Sequence, residues 1–233
     1  MNRISVRAAF ALTMALLLAP NYSFAQDQSN AVKNGGNFVK GWAGQVDAAE
    51  AAKGAKIDGS SFMQMEGIMH AVTGPSVSYW QENKKADGSY TVMATFTEPK
   101  FKNLSSHPHP YGLFIGGNDM GTDKSSLLYC MAYGSGKFIV RGFSPEPFKV
   151  SGDSSTANEA IHVAKEDGAS VSQDISISVT KDAVSCSING TVVGTYPKSD
   201  IVGAGKLKST DGAFGVRFGH NVEATVANFM LMK

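Results

Sequence analysis

The sequence predicts an all-β sandwich, and three observations carry that prediction. Residues 174–188 alternate: Ile175, Ile177 and Val179 share one strand face, Ser176, Ser178 and Thr180 share the other, and Val184, Cys186 and Ile188 repeat the pattern. Apolar residues at a period of two mark half-buried strands. Asn189-Gly190 then turns the chain back, because both residues tolerate the positive φ of a type I′ hairpin turn. From Ser61 onward, short apolar runs recur between Gly, Pro, Asn and Asp, ending in the stretch TDGAFGVRFGHN at 210–221.

At the N-terminus, Arg3 and Arg7 precede an uncharged run at 8–19, and Ser23 and Ala25 occupy the small-residue positions of a cleavage site. The run is about 12 residues long against the roughly 20 needed to span a membrane, so it reads as a secretory signal peptide cleaved after Ala25. Residues 1–25 are thus assigned to the signal, 26–40 to a polar, flexible mature N-terminus and 41–233 to a single β-sandwich domain. The expected localisation is secreted or periplasmic, with no stable membrane insertion.

Residues 47–53 (DAAEAAK) form the best helix candidate, with Asp47 as its N-cap. Strands are expected at 62–66, 68–72, 76–81, 90–97, 111–115, 127–133 and 138–143, then at 160–163, 174–181, 184–188, 191–196, 213–218 and 224–232. Asp87-Gly88 is a turn, and Gly134-Ser135-Gly136 a tight hairpin rather than a phosphate loop, since strands flank it. Residues 143–158 make the longest irregular stretch and are placed to overhang a binding face. Asn189-Gly190-Thr191 and Asn103-Leu104-Ser105 are formal glycosylation sequons, the first better explained as the turn itself.

The net charge of +1, with no basic tract or acidic tail, gives no support to nucleic acid or an anionic membrane as partner. Cys130 shares the face of Leu128 and Ala132, and Cys186 that of Val184 and Ile188, so both look toward the core. They are either bridged, as export permits, or two buried thiols acting as small apolar residues.

Several pieces resemble the concanavalin A-like lectin/glucanase superfamily, in particular secreted sandwiches of the 3-keto-disaccharide hydrolase type. They are Gly41-Trp42, YGLFIGG at 111–117, LLYCMAYGSGKFIVRGF at 127–143, VSCSING at 184–190 and DGAFGVRFGHNVEATVANFML at 211–231. The resemblance implies a two-sheet antiparallel jelly roll with one concave sheet, the face on which such domains hold glycans.

Parity also selects candidate ligand-binding residues. If Cys130 faces inward, Tyr129, Met131 and Tyr133 face the other way. Phe138 and Val140 toward the core turn Ile139 and Arg141 outward, and Phe214, Val216 and Phe218 do the same for Arg217. Tyrosine rings stack on sugar C–H surfaces and guanidinium forks bond hydroxyls, so Tyr129, Tyr133, Arg141 and Arg217 are read as a sugar platform. The competing reading is scattered surface residues or a face covered by loops. His220 is added as a ligand-contacting or turn residue. His70 and His162 read as locally satisfied strand histidines.

His107-Pro108-His109-Pro110 could offer two imidazoles to one metal, but a rigid surface loop is the simpler reading. Residues 116–123 supply only Asn118, Asp119, Thr122 and Asp123 against the six to eight oxygens calcium wants. No cofactor and no metal site are therefore expected. The paired carboxylates of a retaining glycosidase are not gathered on one strand, and no catalytic motif is recognisable. The leading expectation is an exported sandwich that binds carbohydrate or glycoconjugate, its partner a glycan or an extracellular or cell-wall polysaccharide. The alternatives are a glycoside-cleaving enzyme of the 3-keto-disaccharide hydrolase type and a structural or adhesion module without a small-molecule site.

Overall fold

The computed structural model describes residues 28–103 and 108–233; the signal-peptide assignment and His107 lie outside the described residues. In chain order the strands are β1 (Trp42–Val46), β2 (Ser61–Met65), β3 (Ile68–Val72), β4 (Val77–Ala86), β5 (Tyr90–Glu98), β6 (Tyr111–Asn118), β7 (Ser126–Tyr133) and β8 (Lys137–Phe143). They continue as β9 (Pro147–Lys149), β10 (Thr156–Ala157), β11 (Val171–Val179), β12 (Ala183–Ile188), β13 (Thr191–Pro197), β14 (Gly212–Phe218) and β15 (Glu223–Met232). Two one-turn helices, α1 (Ala48–Ala51) and α2 (Lys198–Ile201), complete the set with a 3-10 turn at Ile57–Gly59.

All pairings between these strands are antiparallel, in two sheets. The front sheet has eight strands in the order β1-β4-β14-β6-β7-β8-β10, with β9 also on β8; the back sheet has seven, β13-β12-β11-β5-β15-β3-β2. Their inner faces meet in one apolar core built from the alternating positions. From the back sheet come Val92, Phe96, Ile175, Ile177, Val184 and Val226, and from the front sheet Tyr79, Leu113, Leu128, Val140, Val216 and Phe218. Phe62 stacks on Tyr79 with ring centroids 4.0 Å apart, Trp42 stacks on the same tyrosine at 5.2 Å, and the Val39 amide donates to its hydroxyl at 2.8 Å. The polar stretch before β1 lies along this end: the Asn30 amide donates to Asn221 Oδ1 and the Val32 and Gly36 amides to the Gly59 and Ser60 carbonyls.

Both cysteines face the core, as strand parity requires, and they are joined: Cys130 on β7 and Cys186 on β12 form a disulfide across the core with Cα atoms 6.3 Å apart. The Asn189-Gly190 turn has φ of 50° and 80°, as a type I′ turn requires. Asn189 is fully engaged, donating to Ala160 O and Gln173 Oε1 and accepting from the Asp174 amide, which makes it a structural turn residue.

The expected strand at 160–163 is absent. Ile161 is buried, but the segment is held as a turn by Asn158 and by Gln173, which bonds both the amide and the carbonyl of His162. The His162 ring is satisfied by Ser172 O at 2.8 Å. The short pairings β1, β9 and β10 carry too few alternating apolar residues to announce themselves. Helix α1 covers only four residues of the expected 47–53, and Asp47, at its N-cap position, makes no side-chain capping bond.

The outer faces differ in chemistry. On the back sheet, hydroxyls pair in rungs: Thr91 with Ser178 at 2.9 Å, Thr97 with Ser172 at 2.7 Å and Ser185 with Thr195 at 2.9 Å. Such rungs suit a solvated surface. The front sheet's outer face instead carries a second apolar cluster of Trp80, Phe114, Leu127, Tyr129, Met131 and Ile139.

Among the described residues, one carboxylate is almost wholly buried. Glu98, 7% exposed, ends β5 beside Gly134, and desolvation pushes its pKa up to about 7, against an opposing hydrogen bond from the Lys102 amide. A raised folded pKa means that the native state binds the proton more tightly than the unfolded chain. Glu98's contribution is therefore complete below its ordinary pKa of 4.5 and is lost as pH rises through about 7. The Glu98→Gln variant should unfold at higher denaturant than wild type at pH 8, by up to about 3 kcal/mol, with the gain shrinking toward pH 5. Removing the disulfide as the Cys130→Ala/Cys186→Ala pair should cost about 2–4 kcal/mol in the same assay.

Candidate functional site

The outer face of the front sheet is built in rows. One runs Gln45, Ser78, Arg217, Gly112, Met131, Ile139; the next runs Ala43, Trp80, Gly215, Phe114, Tyr129, Arg141, Lys149. The glycines matter at the centre. A Cβ on Gly112 would lie 2.2 Å from the Cys130 carbonyl oxygen, and one on Gly215 would lie 2.7 Å from the Phe114 ring. At Gly112 the backbone of β7, and at Gly215 the Phe114 ring, take up the space a side chain would need.

Arg217 is 4% exposed. Its guanidinium grips Asp47 with both nitrogens, Nη1 to Oδ1 at 2.8 Å and Nη2 to Oδ2 at 2.6 Å, and Nη1 also donates to Ser78 Oγ at 2.9 Å. The group lies over the Tyr129 ring at 4.6 Å and the Phe143 ring at 4.9 Å, a doubly stacked cation. Burial alone would push the Arg217 pKa down; the charge and hydrogen bonds of Asp47 more than offset it and hold it above its usual value. The Arg217 guanidinium is thus held in its charged form.

The other predicted residues fall around this pair. Tyr129, 9% exposed, lies on the same face, opposite Phe114 on one side and Arg141 on the other, and burial raises its pKa. Arg141 is half-buried, and its Nη2 donates to the Asp153 carbonyl. Tyr133 is half-buried at the end of β7, where burial pushes its pKa up to about 12. His220 stands beyond the end of β14, its ring 4.2 Å from His109 and its Nδ1 3.9 Å from Glu50 Oε1. Glu50 also accepts from the Ser76 amide and bears electrostatically on Arg217. The structure therefore brings Tyr129, Arg141 and Arg217 together on one face, with Tyr133 and His220 at its margins.

The face is not open. The loop at 119–125 leaves β6, crosses the outer side of β14 and β4, and is fastened to Gln45 on edge strand β1. Gln45 Nε2 donates to Thr122 O and Ser125 Oγ, both at 3.0 Å, and Gln45 Oε1 accepts from the Gly121 amide at 3.0 Å. Met120 packs against the outer apolar cluster beneath. What remains is a cleft of about 60 Å³ lined by Gln45, Asp47, Ser78, Asp123, Phe143 and Arg217, among others.

Sequence reasoning took Asp47 for a helix cap and missed its role as the partner of Arg217. Phe143 and Gln45 were also missed; the outward parity of Ile139 and Arg141 extends to Phe143 and could have found it. In the loop weighed for calcium, Asp119 pairs with Lys208, while Asn118 bonds Gly116 O and Asp211 O. Among the described residues, no group of three or more His, Cys, Asp or Glu could hold a metal ion.

No family model and no curated protein matches this chain. Solved structures do. A carbohydrate-binding module from Bacillus subtilis superposes with a TM-score of 0.53 at 10% identity, covering 83% of this chain and 96% of that one. A Bacillus subtilis protein of unknown function with a galectin-like fold gives 0.56 at 14% identity, covering 83% and 90%. At such identities the likeness shows the fold: this chain is an all-β, two-sheet antiparallel sandwich of the concanavalin A-like class.

Removing one member of a buried ion pair strands the other, so Asp47→Ala should cost about 3–5 kcal/mol in denaturant unfolding. Replacing both members, as Asp47→Ala with Arg217→Met, should recover most of that loss. Equal losses in the single and double variants would contradict the pairing.

Proposed function

We propose that the protein is an exported sandwich that binds carbohydrate on the outer face of the front sheet, with a glycan or an extracellular or cell-wall polysaccharide as partner. The observation that carries this reading is the asymmetry of the two outer faces. The back sheet shows solvated hydroxyl rungs, whereas the front sheet gathers aromatic rings around a buried Arg217–Asp47 pair. A buried ion pair adds little to stability over an apolar pair of similar volume. Its presence among rings that suit sugar C–H faces supports a binding role. Export is supported by the signal-like N-terminus and by the disulfide. No helix among the described residues is long and apolar enough to cross a membrane.

The cleft is small for a sugar ring, since pockets for small ligands run to roughly 300–1,000 Å³. Binding therefore goes with lifting of the 119–125 loop, and Gln45 is its latch. Glycan-array screening followed by calorimetry tests this. Arg141→Ala, at a partly exposed position, should weaken binding at least tenfold with melting unchanged, and Tyr133→Phe, which keeps the packed ring, should weaken it less. Gln45→Ala should tighten it several-fold by freeing the loop. If neither wild type nor Gln45→Ala retains any glycan, the covered face is a structural feature and the chain is an adhesion or structural module.

A second reading, a glycoside-cleaving enzyme of the 3-keto-disaccharide hydrolase type, is favoured by one observation. Asp47, Glu50, His109 and His220 gather at the end of β14 beside Arg217. It predicts release of monosaccharide from 3-keto-disaccharides, abolished in Glu50→Gln; no turnover would remove it.

A further inference from the structure

We propose that Met63, Met65 and His70 form a binding site for a soft monovalent metal ion, Cu(I), on the outer face of the back sheet. The site lies at the edge of the sheet opposite the front-sheet cleft and is independent of the carbohydrate reading. Strand β2 is an edge strand whose sequence, Ser-Phe-Met-Gln-Met, carries no formal charge. Phe62 points into the core, so strand alternation sends Met63 and Met65 together to the outer face. They are 48% and 64% exposed. On β3, the buried Met69 faces the core, and His70 is turned outward and exposed. The sequence reading of His70 as a locally satisfied strand histidine is thereby corrected.

The β2–β3 register sets Met63 directly opposite His70, with Met65 one step along the same face. Residues directly opposite on one face have Cβ atoms about 4.5–5.5 Å apart, and diagonal neighbours lie about 7–8 Å apart. Methionine is unbranched with three rotatable bonds, so both sulfurs can swing toward the imidazole without backbone movement. The donor set is then two thioethers and one imidazole. Thioethers are soft and uncharged, which disfavours Ca²⁺ and Mg²⁺ and selects Cu(I), for which imidazole is also a good ligand. Neither methionine is placed by the packing of the core, so their identity is not explained by burial.

The molecule contains its own control. Met230 and Met232 on β15 are also exposed, at 44% and 45%, but face Met93 and Thr91 across the ladder rather than a histidine. Methionines are exposed in both places; only the β2–β3 corner adds a nitrogen donor.

Ag(I) serves as a redox-inert stand-in for Cu(I) and leaves the disulfide closed. Titrated into the oxidised protein and followed by methionine methyl NMR, it should shift Met63, Met65 and the His70 ring, saturating at one equivalent, with Met230 and Met232 unmoved. Cu(I) competition with bicinchoninate should then show at least tenfold weaker binding in Met63→Leu/Met65→Leu and in His70→Gln, all three proteins melting together. Uniform, non-saturating shifts of every exposed methionine, or undiminished Cu(I) affinity in either variant, would overturn the site.

Discussion

A guanidinium buried on the outer side of a sheet has to be answered by a carboxylate, and that requirement organises this molecule's front face. The alternation of β14 commits Phe214, Val216 and Phe218 to the core and leaves Arg217 no other side to occupy. Once there, it needs Asp47, which fixes the chain leaving β1. The same guanidinium lies over Tyr129 and Phe143, so two further strands are tied to its position.

How much of this was legible in the sequence depends on range. Period-two patterning revealed the sandwich, sorted Cys130 and Cys186 inward, and turned Tyr129, Arg141 and Arg217 outward, because side-chain direction along a strand is a local property. The partner of Arg217 is 170 residues away in sequence, and local logic offered Asp47 a competing role as a helix cap. Nothing in a single strand announces that a loop from β6 will cross its neighbours and fasten to Gln45. The segment at 160–163 was misread for a similar reason: its apolar residues look like a strand, but the Gln173 side chain supplies the bonds that a ladder would have supplied.

The disulfide and the latch act on different scales. Cys130–Cys186 ties the two sheets through the core. Gln45 ties a surface loop through neutral hydrogen bonds, each of which contributes only about 1 kcal/mol net. The loop is held further by Met120 on the outer cluster and by the Asp119–Lys208 pair, and none of these contacts involves the disulfide. A disulfide-tied frame with a loop fastened over an aromatic, charged face is the geometry on which the proposed gated binding rests.

The most direct measurement is chemical-shift mapping of the isotopically labelled protein during titration with a retained glycan. The account predicts that the Arg217 side-chain Nε–H, the Tyr129 and Phe143 rings and the amides of residues 119–125 move together. Perturbation confined to the hydroxyl rungs of the back sheet, with Arg217 unmoved, would contradict it.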